Sequence, residues 1–194
     1  FRSESERFVC PSFATIAGFK ENGAIVHYHA DEGSNKAVHE SGLFLVDSGG
    51  QYKYGTSDIT RTILIGQASE EMKKCYTEVL KAHIAVACAR FPKGTKGREI
   101  DAVARDLLKQ SGMEFGHGLG HGVGCMLGVH EWAANLSPRG EYALEPGMLL
   151  SNEPGYYKEG AFGIRLENLV LVKECGDDSS YLEFETITLA PFDK

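Results

Sequence analysis

At 194 residues, with 42% hydrophobic and 24% charged side chains, the chain has the composition of a globular protein with a sizeable core, which excludes intrinsic disorder. Its formal charge of -7 and pI near 5.5, with lysines and arginines scattered, exclude a nucleic-acid footprint. No apolar run approaches the ~20 residues of a membrane span, and no signal-peptide pattern opens the chain, so neither nucleic acid nor a membrane is an expected partner. The five cysteines (Cys10, Cys75, Cys88, Cys125 and Cys175) form no CxxC pair and no even framework, and are expected to be free thiols in a reducing compartment.

In chain order, Ala24 to Ile65 reads as β-structure. "AIVHYHA" is a short apolar strand ending in histidines, and "GLFLVDSGGQY" is a strand running into a glycine turn. "SDITRTILIG" alternates Thr and Ile like a half-buried strand, and the Gly49-Gly50 turn suggests a hairpin. A first helix is expected over about 69–90, where Ser69 and two glutamates make a start signal, and a second over about 98–111, stopped by Gly112. A segment rich in glycine and histidine follows, "FGHGLGHGVGCMLGVHE", and then three β-type stretches: "GMLLSNEPGYY", "FGIRLENLVLVKE" and "LEFETITLA". Strands, helices and strands again, without βαβ alternation, predict an α+β fold on an antiparallel sheet.

Four acids stand where a purely structural role is awkward. Asp47 ends an apolar strand, Asp58 begins the Ile/Thr strand, Glu153 follows "MLLSN", and Glu167 sits inside "GIRLENLVLV". Any one of them alone reads most simply as a solvated strand face or a turn cap. Asp47 and Asp58 are eleven residues apart across the glycine turn, and Glu153 and Glu167 fourteen apart across "PGYYKEGAFG", so two hairpins would bring the pairs together. Carboxylates gathered with an imidazole suit divalent ions such as Mn²⁺, Co²⁺ or Zn²⁺, and four acids are more than one ion needs. Two metals sharing bridging carboxylates, with a hydroxide between them as nucleophile, is the economical reading.

The segments "VDSGGQYKYGTSDITRT", "HGLGHGVG", "VHE", "NEPGYY" and "GAFGIRLEN", in this order, resemble the catalytic domain of Xaa-Pro aminopeptidases (aminopeptidase P), members of the pita-bread metallopeptidases. The resemblance covers about 12–193 and implies a mostly antiparallel curved sheet with helices packed on its outside. It implies one pita-bread catalytic domain over 1–194, truncated at both ends. The metal ligands it implies are Asp47, Asp58, His121, Glu153 and Glu167, holding two divalent ions, in the first instance Mn²⁺. His27, His117 and His130 would contact substrate or steady developing charge, Glu153 would relay a proton, and Arg165 would stand behind the ligands. The implied reaction is hydrolysis of the bond between an N-terminal residue and a following proline, by attack of the metal-bridging hydroxide, in a cytoplasmic homodimer acting on peptides with proline second. Prolidase action on Xaa-Pro dipeptides is the nearest alternative, followed by a metal-free peptide-binding module on the same fold. His29, His39 and His83 match no motif and read as surface or structural. Tyr156 and Tyr157 fit packing under the hairpin as well as contact with substrate. Trp132 departs from the family's small residue after "VHE", a change that would reshape the substrate mouth.

Overall fold

The computed structural model describes residues 1–193, with the side chains of Trp132 and Ala133 outside the described set, so the expectation placed on Trp132 lies outside the described residues. Among the described residues the first strands are β1 (Phe8–Pro11), β2 (Ile16–Phe19), β3 (Gly42–Ser48), β4 (Gly50–Tyr52), β5 (Gly55–Thr56) and β6 (Ile59–Ile65). Helix α1 (Glu70–Ala87), β7 (Arg90–Pro92) and helix α2 (Gly97–Gln110) follow. The remainder is β8 (Gly120–Gly122), β9 (Glu131–Leu136), β10 (Leu149–Asn152), β11 (Gly155–Lys158), β12 (Phe162–Arg165), β13 (Asn168–Glu174) and β14 (Tyr181–Thr186).

The strands form a six-stranded sheet in the order β7-β14-β13-β10-β8-β9, two three-stranded sheets, β2-β3-β6 and β1-β4-β5, and the hairpin β11-β12. Their pairings are antiparallel, as the sequence pattern predicts. Both helices bury one stripe in the main core, Val79, Ala82 and Val86 from α1 and Ile100, Ala104 and Leu108 from α2, against Leu150, Val170, Val172 and Leu182 of the large sheet. Ser69 caps α1, its hydroxyl accepting from Met72 N at 3.2 Å, and Glu70 and Glu71 lie in the first turn. The helix stops at Ala87 because Arg90–Pro92 leaves to pair with β14. Gly112, at φ 71°, ends α2 in the left-handed conformation that glycine adopts freely.

Two local expectations are corrected. "AIVHYHA" is not a strand: the chain leaves a 3₁₀ turn at Lys20–Ala24 and runs irregularly, while Ile16–Phe19 supplies the strand beside β3. Tyr28 explains this, because its buried hydroxyl donates to Ser34 O at 2.9 Å and accepts from Asn22 Nδ2 at 3.0 Å, satisfying it locally and leaving His27 and His29 exposed on either side. The β3–β6 pairing is present, with Asp47 opposite Thr60, but the connection is not a tight glycine turn, since it carries the small β4–β5 pair. Gly49 serves close approach instead: a Cβ there would stand 1.9 Å from Ser57 O. In β6 the buried face is that of Thr60 and Thr62, while Ile63 is exposed.

Candidate metal centre

The antiparallel register gathers the acids. Asp47 comes from β3, Asp58 from the residue before β6, His121 from β8, Glu153 from the link between β10 and β11, and Glu167 from the link between β12 and β13. Asn152 pairs with Asn168 and Gly155 with Arg165, which draws Glu153 and Glu167 together as their spacing implies. All five, together with His27, His117, His130 and Arg165, line one cleft of about 540 Å³. Glycine lets β8 sit close: a Cβ on Gly120 would stand 1.9 Å from Ser151 O, a backbone atom of the neighbouring strand.

Asp47, Asp58 and Glu167 are buried. One ligating atom from each of Asp58, His121 and Glu167 lies within 4.8 Å of the other two. His121 Nδ1 donates to Gly122 O at 2.9 Å, and its Nε2 lies 3.4 Å from Asp58 Oδ2 and 3.3 Å from Glu153 Oε1. Asp47 and Glu167 each have one oxygen anchored, by Arg165 Nη2 at 2.6 Å and by Thr60 Oγ1 at 2.7 Å, while Asp47 Oδ1 and Glu167 Oε1 are buried with no hydrogen-bond partner. Buried carboxylate oxygens without partners, gathered beside an imidazole, are costly among themselves and fit divalent cations.

The electrostatics agree. Burial lifts the Asp47 carboxyl to about 6, against the pull of Arg165 and with help from Asp58. Burial lifts Glu167 well above the usual carboxylate range, reinforced by Glu153, Asp58 and Asp47. Burial also opposes charge on His121 and Glu153, but their mutual attraction wins, taking the imidazole up to about 11 with Asp58 adding to it, and the carboxyl down to about 2. Arg165 and one imidazole do not supply enough positive charge for four carboxylates.

Behind the acids runs a chain of hydrogen bonds in which Tyr157, which the sequence left open between packing and substrate contact, is the middle member. Its hydroxyl donates to His117 Nε2 at 2.8 Å and accepts from Arg165 Nη1 at 2.9 Å, and His117 Nδ1 donates to Gly118 O at 2.7 Å. Both His117 nitrogens are therefore engaged. Burial keeps that imidazole neutral and pushes the tyrosine up to about 12, so the phenol retains the proton it donates. A hairpin reading of "PGYYKEGAFGIR" held the signal for this contact, since the β11–β12 register puts Tyr157 and Arg165 diagonally on one face, with Gly155 and Gly163 leaving room. Ser151 also escaped the sequence reading: its hydroxyl donates to Glu153 Oε1 at 2.8 Å and accepts from His121 N at 3.0 Å.

The remaining histidines separate by exposure. His130 is exposed, its ring 4.3 Å from that of His121, and His27 is exposed and lines the same cleft as Phe13, Ile16 and Val26. His29 also lines the cleft. His39 is exposed, and His83 is buried beneath Glu167, donating from Nδ1 to Leu166 O at 3.1 Å and accepting at Nε2 from Asn168 Nδ2 at 3.3 Å.

Residues 1–174 match the model of metallopeptidase family M24. The chain belongs to this family. Curated relatives include a "Probable Xaa-Pro aminopeptidase P" from Metarhizium acridum, 46% identical over 98% of this chain, and one from Arthroderma otae, 47% identical over the same share. This M24 chain spans 32% of the length of each. Its fold matches the crystal structure of the X-prolyl aminopeptidase from Caenorhabditis elegans, a cytosolic enzyme with a di-nuclear active site, at a TM-score of 0.91 and 37% identity, covering 98% of this chain and 32% of that one. The prolidase from Pyrococcus furiosus matches at 0.82 and 33%, covering 93% of this chain and 50% of that one. The pita-bread fold expected of an M24 chain is the one observed.

Proposed function

We propose that residues 1–194 form the catalytic domain of a metalloaminopeptidase that removes an N-terminal residue preceding proline. The observation that carries this reading is the pair of buried, unpartnered oxygens, Asp47 Oδ1 and Glu167 Oε1, in a cluster with Asp58, Glu153 and Nε2 of His121. Asp47, Asp58, His121, Glu153 and Glu167 would hold two divalent ions, and four carboxylates to one imidazole favour a hard ion such as Mn²⁺. When bound, the ions supply an activated water and a Lewis acid for the scissile carbonyl.

The protein's own groups divide the rest of the work. Glu153, ionised and oriented at Oε1 by Ser151, accepts a proton and returns it to the departing proline nitrogen. His130, the exposed imidazole against His121, donates a hydrogen bond to the carbonyl oxygen as its charge develops. His117, with both nitrogens engaged, steadies Tyr157 and through it Arg165 and Asp47. His27, with Phe13, Ile16 and Val26, walls the space for a proline ring, which presents no amide N–H to satisfy. The aminopeptidase relatives support Xaa-Pro peptides as substrates, and the cytosolic enzyme of C. elegans supports action in the cytoplasm.

The test is Mn²⁺ binding by equilibrium dialysis together with hydrolysis of Xaa-Pro-Yaa tripeptides and Xaa-Pro dipeptides by the full-length protein. Two bound ions and tripeptide cleavage that disappears in His121→Ala are expected. Cleavage of dipeptides alone would establish the second reading, prolidase, which the P. furiosus likeness supports. Full activity in His121→Ala would overturn the site.

A further inference from the structure

Helix α2 carries an ion pair between a buried aspartate and a half-buried arginine that the chemistry above does not use. Asp101 is 2% exposed, and Arg105, one turn later, closes on it with Nε to Oδ2 at 2.5 Å and Nη2 to Oδ1 at 3.0 Å. An i,i+4 pair on a helix is ordinarily a solvated surface feature. Here it faces inward and its remaining valences go to the backbone of the glycine-histidine segment. Arg105 Nη1 donates to Phe115 O at 2.8 Å and Nη2 to His117 O at 2.5 Å, while Asp101 Oδ1 accepts from Leu119 N at 3.1 Å. The guanidinium also lies 4.2 Å from the Phe115 ring centroid.

These contacts fall on residues 115, 117 and 119, alternate residues along one edge of a segment whose intervening residues are Gly116 and Gly118. That stretch lies before β8 begins at Gly120, so its backbone groups have no sheet ladder to satisfy them. Two routes lead from it to the catalytic groups. His117 reaches Asp47 through Tyr157 and Arg165, and Leu119, whose N–H is held by Asp101, accepts at its carbonyl from Glu153 N at 2.8 Å.

We propose that Asp101 and Arg105 are positioning residues of the active site: their planar, two-sided clamp fixes the glycine-histidine segment so that His117 meets Tyr157 and the Glu153 backbone is held in place. The inference rests on the aminopeptidase reading for its kinetic test, but the clamp itself is readable without turnover. Arginine is required for geometry as much as for charge, since a lysine ammonium can keep an ion pair with Asp101 yet has no rigid fork to reach two carbonyls at once.

The test uses the Mn²⁺-loaded full-length protein as wild type, Asp101→Asn, Arg105→Gln and Arg105→Lys. Each variant is expected to lose about tenfold or more in kcat on an Xaa-Pro-Yaa peptide, with KM changed less than about threefold. Arg105→Lys should recover the melting temperature lost in Arg105→Gln without recovering kcat. Independently of turnover, the imidazole ¹⁵N spectrum of wild type should show His117 as the Nδ1–H tautomer, assigned with His117→Gln, and the Arg105 variants should shift that signal or mix its tautomers. An unchanged His117 signal in the Arg105 variants, or wild-type kcat in Arg105→Lys, would overturn the proposal. A wild type inactive on every proline peptide would refute the aminopeptidase reading instead, and the His117 signal would still decide the clamp.

Discussion

Arg165 donates to Asp47 through Nη2 at 2.6 Å, and among the described residues this buried pair is the one salt bridge between an arginine or lysine and the four acids. Removing one partner of a buried pair leaves the other uncompensated, which costs about 3–5 kcal/mol. Arg165→Met, which keeps much of the stem and deletes the charge, is therefore expected to lose that much stability in urea unfolding with chelator present. A loss below about 1 kcal/mol would show that Asp47 does not depend on the arginine.

Tyr157→Phe keeps the ring and removes only the hydroxyl that joins His117 to Arg165. Two buried groups then lack a partner, each costing about 1–3 kcal/mol. If part of that cost falls on the transition state, kcat drops ~10–100-fold while KM changes little. Steady-state kinetics on an Xaa-Pro-Yaa peptide measure this, and a kcat within twofold of wild type would remove Tyr157 from the working site.

His83 gives a pH dependence with a definite sign. Burial lowers its pKa from 6.5 to about 4, the hydrogen bond to Leu166 only partly opposing this. The unfolded chain therefore takes up a proton that the folded state refuses. Stability is fully present above about 6.5 and is lost as the pH falls toward 4, by about 3 kcal/mol in all. The difference in unfolding free energy between wild type and His83→Gln, followed from pH 7.5 to 4, should slope through this window, whereas parallel curves would contradict the assignment.

Glu167→Gln should act in opposite directions on stability and function. Its carboxyl is repelled by Glu153, Asp58 and Asp47 and has a bare buried oxygen, so neutralising it relieves the metal-free protein. With chelator present the variant is expected to melt at or above the wild-type temperature. With Mn²⁺ it should bind fewer than two ions and lose about a hundredfold or more in kcat. Thermal melts with and without chelator make the check, and a variant that melts well below wild type in chelator would contradict the repulsion.

The candidate ligands were legible because each stands in a motif, and the antiparallel pairing expected from strand alternation is the one that sets Asp47 opposite Thr60 and Asn152 opposite Asn168. What escaped is polar structure that periodicity does not encode. Thr60 and Thr62 face inward because their hydroxyls serve Glu167 and the Arg165 backbone, although an apolar scale points Ile63 to the core. Asp101 and Arg105 sit beside the apolar stripe of α2, and nothing in a helical pattern says that this polar edge meets an unpaired backbone. Tyr28 broke an expected strand for the same reason, its hydroxyl finding partners within a loop.

Glu167 lies between the β11-β12 hairpin and the six-stranded sheet, while Asp47 stands near the end of β3, the middle strand of the β2-β3-β6 sheet, and Asp58 just before β6. The seam between them is stitched by Thr62 Oγ1 to Arg165 O at 3.0 Å, Thr60 Oγ1 to Glu167 Oε2 at 2.7 Å and Glu167 N to Thr60 O at 3.2 Å. Repulsion among the acids thus acts as a wedge across a joint, and a cation seated among them would act as its rivet. Chelation then becomes a mechanical event as well as a chemical one. The place where peptides would be cut is also where one part of the molecule is fastened to another.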